Sequence, residues 1–291
     1  MIYVCVMTLN SVAREDSLKR IQNRKLIVSG VGITGYSASA FLLNELWYKE
    51  YKSKQFNFFD DSEEWLQVDK FGHAFTCYQL GEIGMNAMKW GGFNKNKSVW
   101  IGGLSGITYM SMVELMDGFS EGWGFSWADV GANAGGSLSL ILQEHFWQEQ
   151  RIRLKFSYYP SEYAKYRPGL LGDDQFQKIF KDYNAQTFWL SVNIHSFLKE
   201  ESKFPRWLNL AFGYGASGMT GGFKNPEMSD INGNPIHFTR ARQFYFSLDA
   251  DLSKIKTKSV FIHKLLCTLN MIKVPFPSIE FSNHEIRFPI H

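Results

Sequence analysis

Asp69, Lys70 and His73 lie within a single D-K-F-G-H run, inside a stretch that is otherwise glycine-rich and apolar. Two further polar groups follow it. Glu114 and Asp117 sit in E-L-M-D-G (Glu114 to Gly118), and Asp129 and Asn133 sit in G-W-G-F-S-W-A-D-V-G-A-N-A-G-G (Gly122 to Gly136). On a helix, four-residue spacing puts Asp69 with His73, and Asp129 with Asn133, on one face; three-residue spacing makes Glu114 and Asp117 neighbours. Burying such groups is costly unless they satisfy one another, so the three pairs are expected to turn towards a common centre.

The candidate set is therefore Asp69, Lys70, His73, Glu114, Asp129 and Asn133. An imidazole beside carboxylates is the material of general acid/base catalysis, and Lys70 could hold an anionic group. His73 with Glu114 and Asp129 would equally make a facial nitrogen and oxygen site for a metal ion. The same residues also suit a buried charge network that fixes helix register, because D-x-x-x-H recurs by chance in many helices. The spacing names no cofactor and leaves these uses open. Gly122 to Trp127 lacks the G-K-[ST] ending of a phosphate loop, and no G-x-S-x-G elbow accompanies Ser105 or Ser111. His145, His195, His237 and His263 are scattered singly and read as ordinary surface or loop histidines.

The elements that must carry these groups are helical. Leu26 to Leu46 runs with one charge, Glu45, between Lys19, Arg20, Arg24 and Lys25 on one side and Lys49 on the other. It is long enough to cross a bilayer, and its glycines and serines suit a buried packing helix equally. Asp60 to Glu64 supplies a cap and first-turn acids for a helix from Glu63 to Trp90. Ser98 is expected to cap a helix reaching Asp117, with Gly102 and Gly106 at a close-packing interval, and Ser126 to cap a fourth that ends near Gln150. Gly131 and Gly135 repeat that interval.

At Arg151 the period changes to two. In R-I-R-L-K-F-S-Y the polar residues Arg151, Arg153, Lys155 and Ser157 alternate with apolar ones, which predicts a strand with one wet face. Similar runs occupy Thr187 to Phe197, Trp207 to Ala216, Gln243 to Leu252 and Ile279 to Phe288. Asp249 and Asp251 then belong to a solvated polar face, and Lys258 to Ile272 reads as a short amphipathic helix. The fold class is α+β: about four glycine-rich helices, then an antiparallel sheet of about five strands whose apolar face packs on helices. An outer-membrane β-barrel with a helical insert is the alternative, although such barrels need about eight strands. Residues 14–150 form the helical domain and 151–291 the β domain.

Composition narrows the partners. A chain of 291 residues that is 45% hydrophobic and 20% charged is globular, and its net charge of +3 with no long Lys/Arg run excludes a nucleic-acid stripe. Cys5, Cys77 and Cys267 form no C-x-x-C pair, so neither a disulfide framework nor a zinc knuckle is expected. Residues 1–13 read as a truncated signal peptide, with the small residues Ser11, Val12 and Ala13 before Arg14 and no positive n-region. Cys5 lacks the small residues that precede a lipidation cysteine.

The ordered pieces D-K-F-G-H, E-L-M-D-G and W-G-F-S-W-A-D-V-G-A-N-A-G-G resemble the family of predicted periplasmic lipoproteins of unknown function, related in pattern to VanZ-like membrane proteins. The pattern covers roughly residues 64 to 145. The longer form, with R-I-R-L-K-F-S and R-Q-F-Y-F-S-L-D-A-D-L-S-K-I, is similar to envelope proteins of Bacteroidetes-type bacteria. The resemblance implies the cell envelope. The chain is accordingly expected at the outer membrane or its periplasmic face, with membrane or envelope lipid and other envelope proteins as partners. It implies no activity. Two functions remain: a membrane-associated scaffold or accessory protein held by its polar cluster, or an enzyme on an envelope lipid or glycan. In the enzyme, His73 would be acid/base and Glu114 and Asp129 would orient it or bind a metal.

Overall fold

A computed structural model describes residues 2–45, 53–230, 232–283 and 285–291, with side chains from Leu18 onward. The chain forms two compact units: residues up to Phe59 with Cys77–His145, and Asp60–Thr76 with Phe146–His291. The architecture is α+β.

The first unit is helical. Helix α1 runs Ile2–Leu43, and its stretch Leu18–Leu43 has a mean hydropathy of 1.6 with none of the apolar window buried, enough in length and composition to cross a membrane. Leu46 and Lys49 lie outside the described residues. The Tyr36 hydroxyl donates to the Ser105 carbonyl at 2.8 Å and Arg24 lies over the Trp90 ring, but Leu26, Val31 and Ile33 stay exposed. A buried packing helix is therefore not what forms.

Helix α2 runs Val68–Trp90 and belongs to this unit from Cys77 onward; α3 runs Ser105–Gly118 and α4 Trp127–Phe146. The Gly102 and Gly106 interval works as expected. A Cβ on Gly106 would stand 2.1 Å from the Cys77 carbonyl oxygen, and one on Gly102 would stand 2.5 Å from the Met85 Cα, so α2 backbone occupies that space. Gly131 and Gly135 do not repeat this: nothing lies within 4 Å of either virtual Cβ. The same spacing packs only where a partner backbone arrives. The caps also differ in part. Asn94, not Ser98, caps the segment before α3, accepting from the Lys97 amide, and a π-helical turn Ser98–Gly102 intervenes. Ser126 caps α4 as expected, its hydroxyl accepting the Asp129 amide at 3.1 Å; the helix ends at Phe146, short of Gln150.

The second unit is built on six antiparallel strands: β1 Ile152–Tyr158, β2 Gln186–Asn193, β3 Leu208–Ser217, β4 Ala241–Ala250, β5 Ser278–Ser282 and β6 Glu285–Arg287. They neighbour one another in chain order, and the sheet is not closed into a barrel. The run expected at Ile279 to Phe288 is a hairpin, which makes six strands of five. A two-residue ladder, Met228–Ser229 with Pro235–Ile236, stands apart.

The sheet's polar face is buried too, which reverses the wet face that alternation led us to expect. Register places Lys155, Trp189, Gly213, Tyr245 and Glu280 in a row across five strands, and all but the glycine are counted among the buried side chains. Asp249 and Asp251, expected to be solvated, are fully buried. Burial is tolerated because partners are supplied. Lys155 Nζ lies 2.7 Å from Asp249 Oδ2 and donates to the Ala250 carbonyl at 2.8 Å. The Ser191 hydroxyl donates to Asp249 at 2.6 Å, and the Asn270 amide donates to Asp251 at 2.8 Å. Lys273 sits 4.6 Å from the Trp189 ring centre and donates to the His291 carbonyl.

On the apolar face, Phe156, Phe188 and Tyr214 pack with Trp65, Val68 and Phe75 of the same unit, while Leu190, Phe212, Phe244 and Phe281 remain exposed. The chain enters α2 through a 3-10 turn, Glu64–Gln67, with positive φ at Trp65, Leu66 and Gln67. The Tyr214 hydroxyl donates to the Leu66 carbonyl and pins that turn. The helix therefore begins at Val68, not Glu63.

Candidate functional site

The six predicted residues fall into two groups, one in each unit, and each group is built by its own elements. In the second unit, Asp69 and Lys70 open α2, with Asp69 in the first turn, where a helix N-terminus favours a carboxylate. Lys70 Nζ lies 2.9 Å from Asp69 and 2.8 Å from Asp61, and the Lys70 side chain is only 12% exposed. Asp61 was missed at the sequence level as anything beyond a capping acid. The kink at Trp65 to Gln67 brings it back to Lys70, and no glycine or asparagine in that turn signals the kink. His73 is half-buried one turn beyond Asp69, so helical periodicity puts Asp69, His73 and Cys77 along one face of α2.

In the first unit, Glu114 projects from α3 with 1% of its surface exposed, and its Oε2 accepts the Ser126 amide at 3.3 Å. That amide stands at the N-terminus of α4, where Asp129 occupies the first turn, so both carboxylates sit in the favourable field of that helix end. Their oxygens lie within 4.8 Å of each other. Asn133, one turn further and fully buried, accepts a hydrogen bond from the Cys77 thiol at 3.3 Å. Asp117, the expected neighbour of Glu114, is half-buried at the end of α3, where its carbonyl accepts the Ser120 amide.

Cys77 is a member that sequence reasoning left out. Its signal was present, since it follows His73 by four residues in a helical run. Burial pushes its thiol from the ordinary 9.0 up to about 12; the Glu114 charge adds to the rise and a hydrogen bond with Ser137 opposes it. Only the thiolate attacks, and charging this thiol would place an anion in a buried site beside a carboxylate. In a Cys5→Ser chain at a pH of about 8.5, where ordinary thiols are half ionised, iodoacetamide should give one adduct, on exposed Cys267. Intact mass reads this directly. Rapid modification of Cys77 in the folded chain would contradict its burial, and its reactivity should climb only as the pH nears about 12.

Chemically, the second-unit group is an ion network in which a cation is held between two carboxylates. The first-unit group is a buried pair of acids laced to a helix end, with an amide and a thiol behind it. Glu114 and Asp129 supply oxygen donors of the type a divalent metal takes, while His73 belongs to the second unit.

A family model described as a predicted periplasmic lipoprotein, of unknown function, matches residues 57–144, a stretch that contains all six candidate residues. No curated protein matches the chain, and no solved structure does.

Proposed function

We propose that this chain is a membrane-associated scaffold or accessory protein of the bacterial cell envelope, at the outer membrane or its periplasmic face. In this reading its buried charges fasten helices instead of turning over a substrate. The observation that carries it is the fate of Lys70. A lysine meant to hold a substrate anion must present its charge, whereas this one is enclosed at 2.8 and 2.9 Å between Asp61 and Asp69. The Glu114 carboxylate is likewise engaged with the α4 terminus. The family match over residues 57–144 supports the envelope.

Membrane association rests on α1. An apolar helix of 26 residues, Leu18–Leu43, none of whose apolar window is buried, matches the thickness of a bilayer. After alkaline carbonate extraction of cells expressing the chain, the protein should stay in the membrane pellet. Release into the soluble fraction would contradict a membrane-spanning role for α1.

A second reading is favoured by one observation, the approach of the buried Glu114 and Asp129 carboxylates within 4.8 Å. Two such oxygens would suit a divalent metal and hydrolytic chemistry on an envelope lipid or glycan. The two readings part on whether removing Glu114 costs stability or only metal binding.

A further inference from the structure

Among the described residues of the second unit, helix α5, Val260–Leu269, is an apolar element with almost no protein against it. Nine of its ten residues are exposed and none is buried; Leu266 alone is half-covered. Its ends are nevertheless fixed. Ser259 caps the start by accepting the Ile262 amide. At the far end, Asn270 is buried and bonds both Asp251 and the Leu252 amide, and the Lys273 amide pairs with the Phe156 carbonyl of β1. The helix is thus held out by firm attachments and buries no residue fully along its length.

That arrangement is unfavourable in water. Isolated helices shorter than about 12–15 residues are marginal, and helices in proteins draw most of their stability from a packed apolar face. Such a face exists here without an occupant. At 100° per residue, Phe261, Ile262, Leu265, Leu266 and Leu269 fall on one side, and His263, Lys264 and Thr268 on the other. Phe261 is 75% exposed.

Charge selects the occupant. From Leu252 to Lys273 the sequence has no Asp or Glu, while Lys256 and Lys258 just before the helix and Lys264 on its polar side are exposed. An apolar arc bordered by lysines on a short, end-anchored helix matches the interface of a bilayer that carries anionic headgroups. A water-filled surroundings gives those side chains nothing, and an apolar protein groove would leave the lysines without a counter-charge.

We propose that α5 lies in the plane of an anionic lipid surface, its Phe261, Leu265 and Leu269 face in the acyl boundary and its lysines among the headgroups. This rests on the membrane-associated reading above and adds to it a second, independent lipid contact, in the β unit.

The test uses the full chain, with a bimane probe on the apolar face (Cys5→Ser, Cys267→Ser, Leu265→Cys) or on the polar side at native Cys267 (Cys5→Ser). Cys77 stays unlabelled because it is buried. With vesicles of phosphatidylglycerol and phosphatidylcholine, the Leu265→Cys probe should shift to the blue and be quenched by lipids carrying a spin label on the acyl chain, and the Cys267 probe should not. Phosphatidylcholine alone should give a much smaller shift, and Lys256→Gln and Lys258→Gln should each weaken the response to anionic vesicles roughly fivefold. A chain that pellets with vesicles while its Leu265→Cys probe keeps a water-like spectrum overturns this inference and leaves the role of α1 standing. A probe shift without lipid that grows with protein concentration also overturns it, because a second copy would then cover the face. Failure to pellet at all would instead strike the membrane-associated reading itself.

Discussion

Asp249→Ala is expected to destabilise the β unit by about 3–5 kcal/mol, the cost of leaving a buried charge without its partner. Lys155 is fully buried on β1, and Asp249 on β4 is its counter-ion at 2.7 Å. The same carboxylate accepts from the Ser191 hydroxyl at 2.6 Å and from the Val274 amide at 3.0 Å, so the change orphans three donors together. Burial already lowers the Lys155 pKa below its ordinary 10.5, and Asp249 is the main influence holding it up. Without Asp249 it falls further, and the folded chain sheds a proton that the unfolded chain keeps. The unfolded state then binds more protons, so the variant's stability must rise with pH towards 10.5, opposite to a simple loss of packing. Adding Lys155→Met should return part of the loss, since an apolar pair of similar volume removes the uncompensated charge. Urea unfolding at two pH values reads both effects. A deficit that does not change with pH would show that Lys155 is not the orphaned group.

That pair also marks the limit of what the sequence reveals. The switch to a period of two at Arg151 was legible, because alternation needs only neighbours along the chain, and strands formed where it predicted them. That the polar face is inside as well was not legible. Alternation separates Lys155 from Phe156 without saying which one water meets, and the Asp249 that decides the matter lies in another strand. The exposed Leu190, Phe212 and Phe244 belong to the same reversal.

The helical half shows the same division between local and distant information. Ser126 as a cap and Gly102 with Gly106 as a close-packing pair follow from local chemistry, and both occur. Gly131 and Gly135 carry the same pattern and pack on nothing, since a glycine interval cannot announce whether a partner comes. Asp61 joins Lys70 only through three consecutive positive φ values at residues that rarely adopt them, so no local signal pointed to it. The burial of Asp69, Glu114, Asp129 and Asn133 is what the sequence made legible, because polar groups inside apolar, glycine-rich helices pair up or stay costly.

Glu114 is where the structural and catalytic readings separate. It is buried, accepts the Ser126 amide, and stands beside Asp129 at the α4 terminus. If its role is to join α3 to α4, Glu114→Ala leaves a buried amide unsatisfied and a cavity behind, a loss of about 3 kcal/mol. Glu114→Gln keeps an acceptor oxygen and nearly the same volume, so it should cost markedly less. If its role is to hold a metal, Glu114→Gln should already abolish binding of Mn²⁺ or Zn²⁺ while the fold persists.

The thermal unfolding midpoint of Glu114→Ala against the parent chain, in the same detergent, therefore bears most directly on the claim that the buried polar cluster is architectural. The expected result is a fall of roughly 5–10 °C, with a smaller fall for Glu114→Gln. A Glu114→Ala chain that unfolds at the parent midpoint while losing a divalent metal that the parent binds would contradict it.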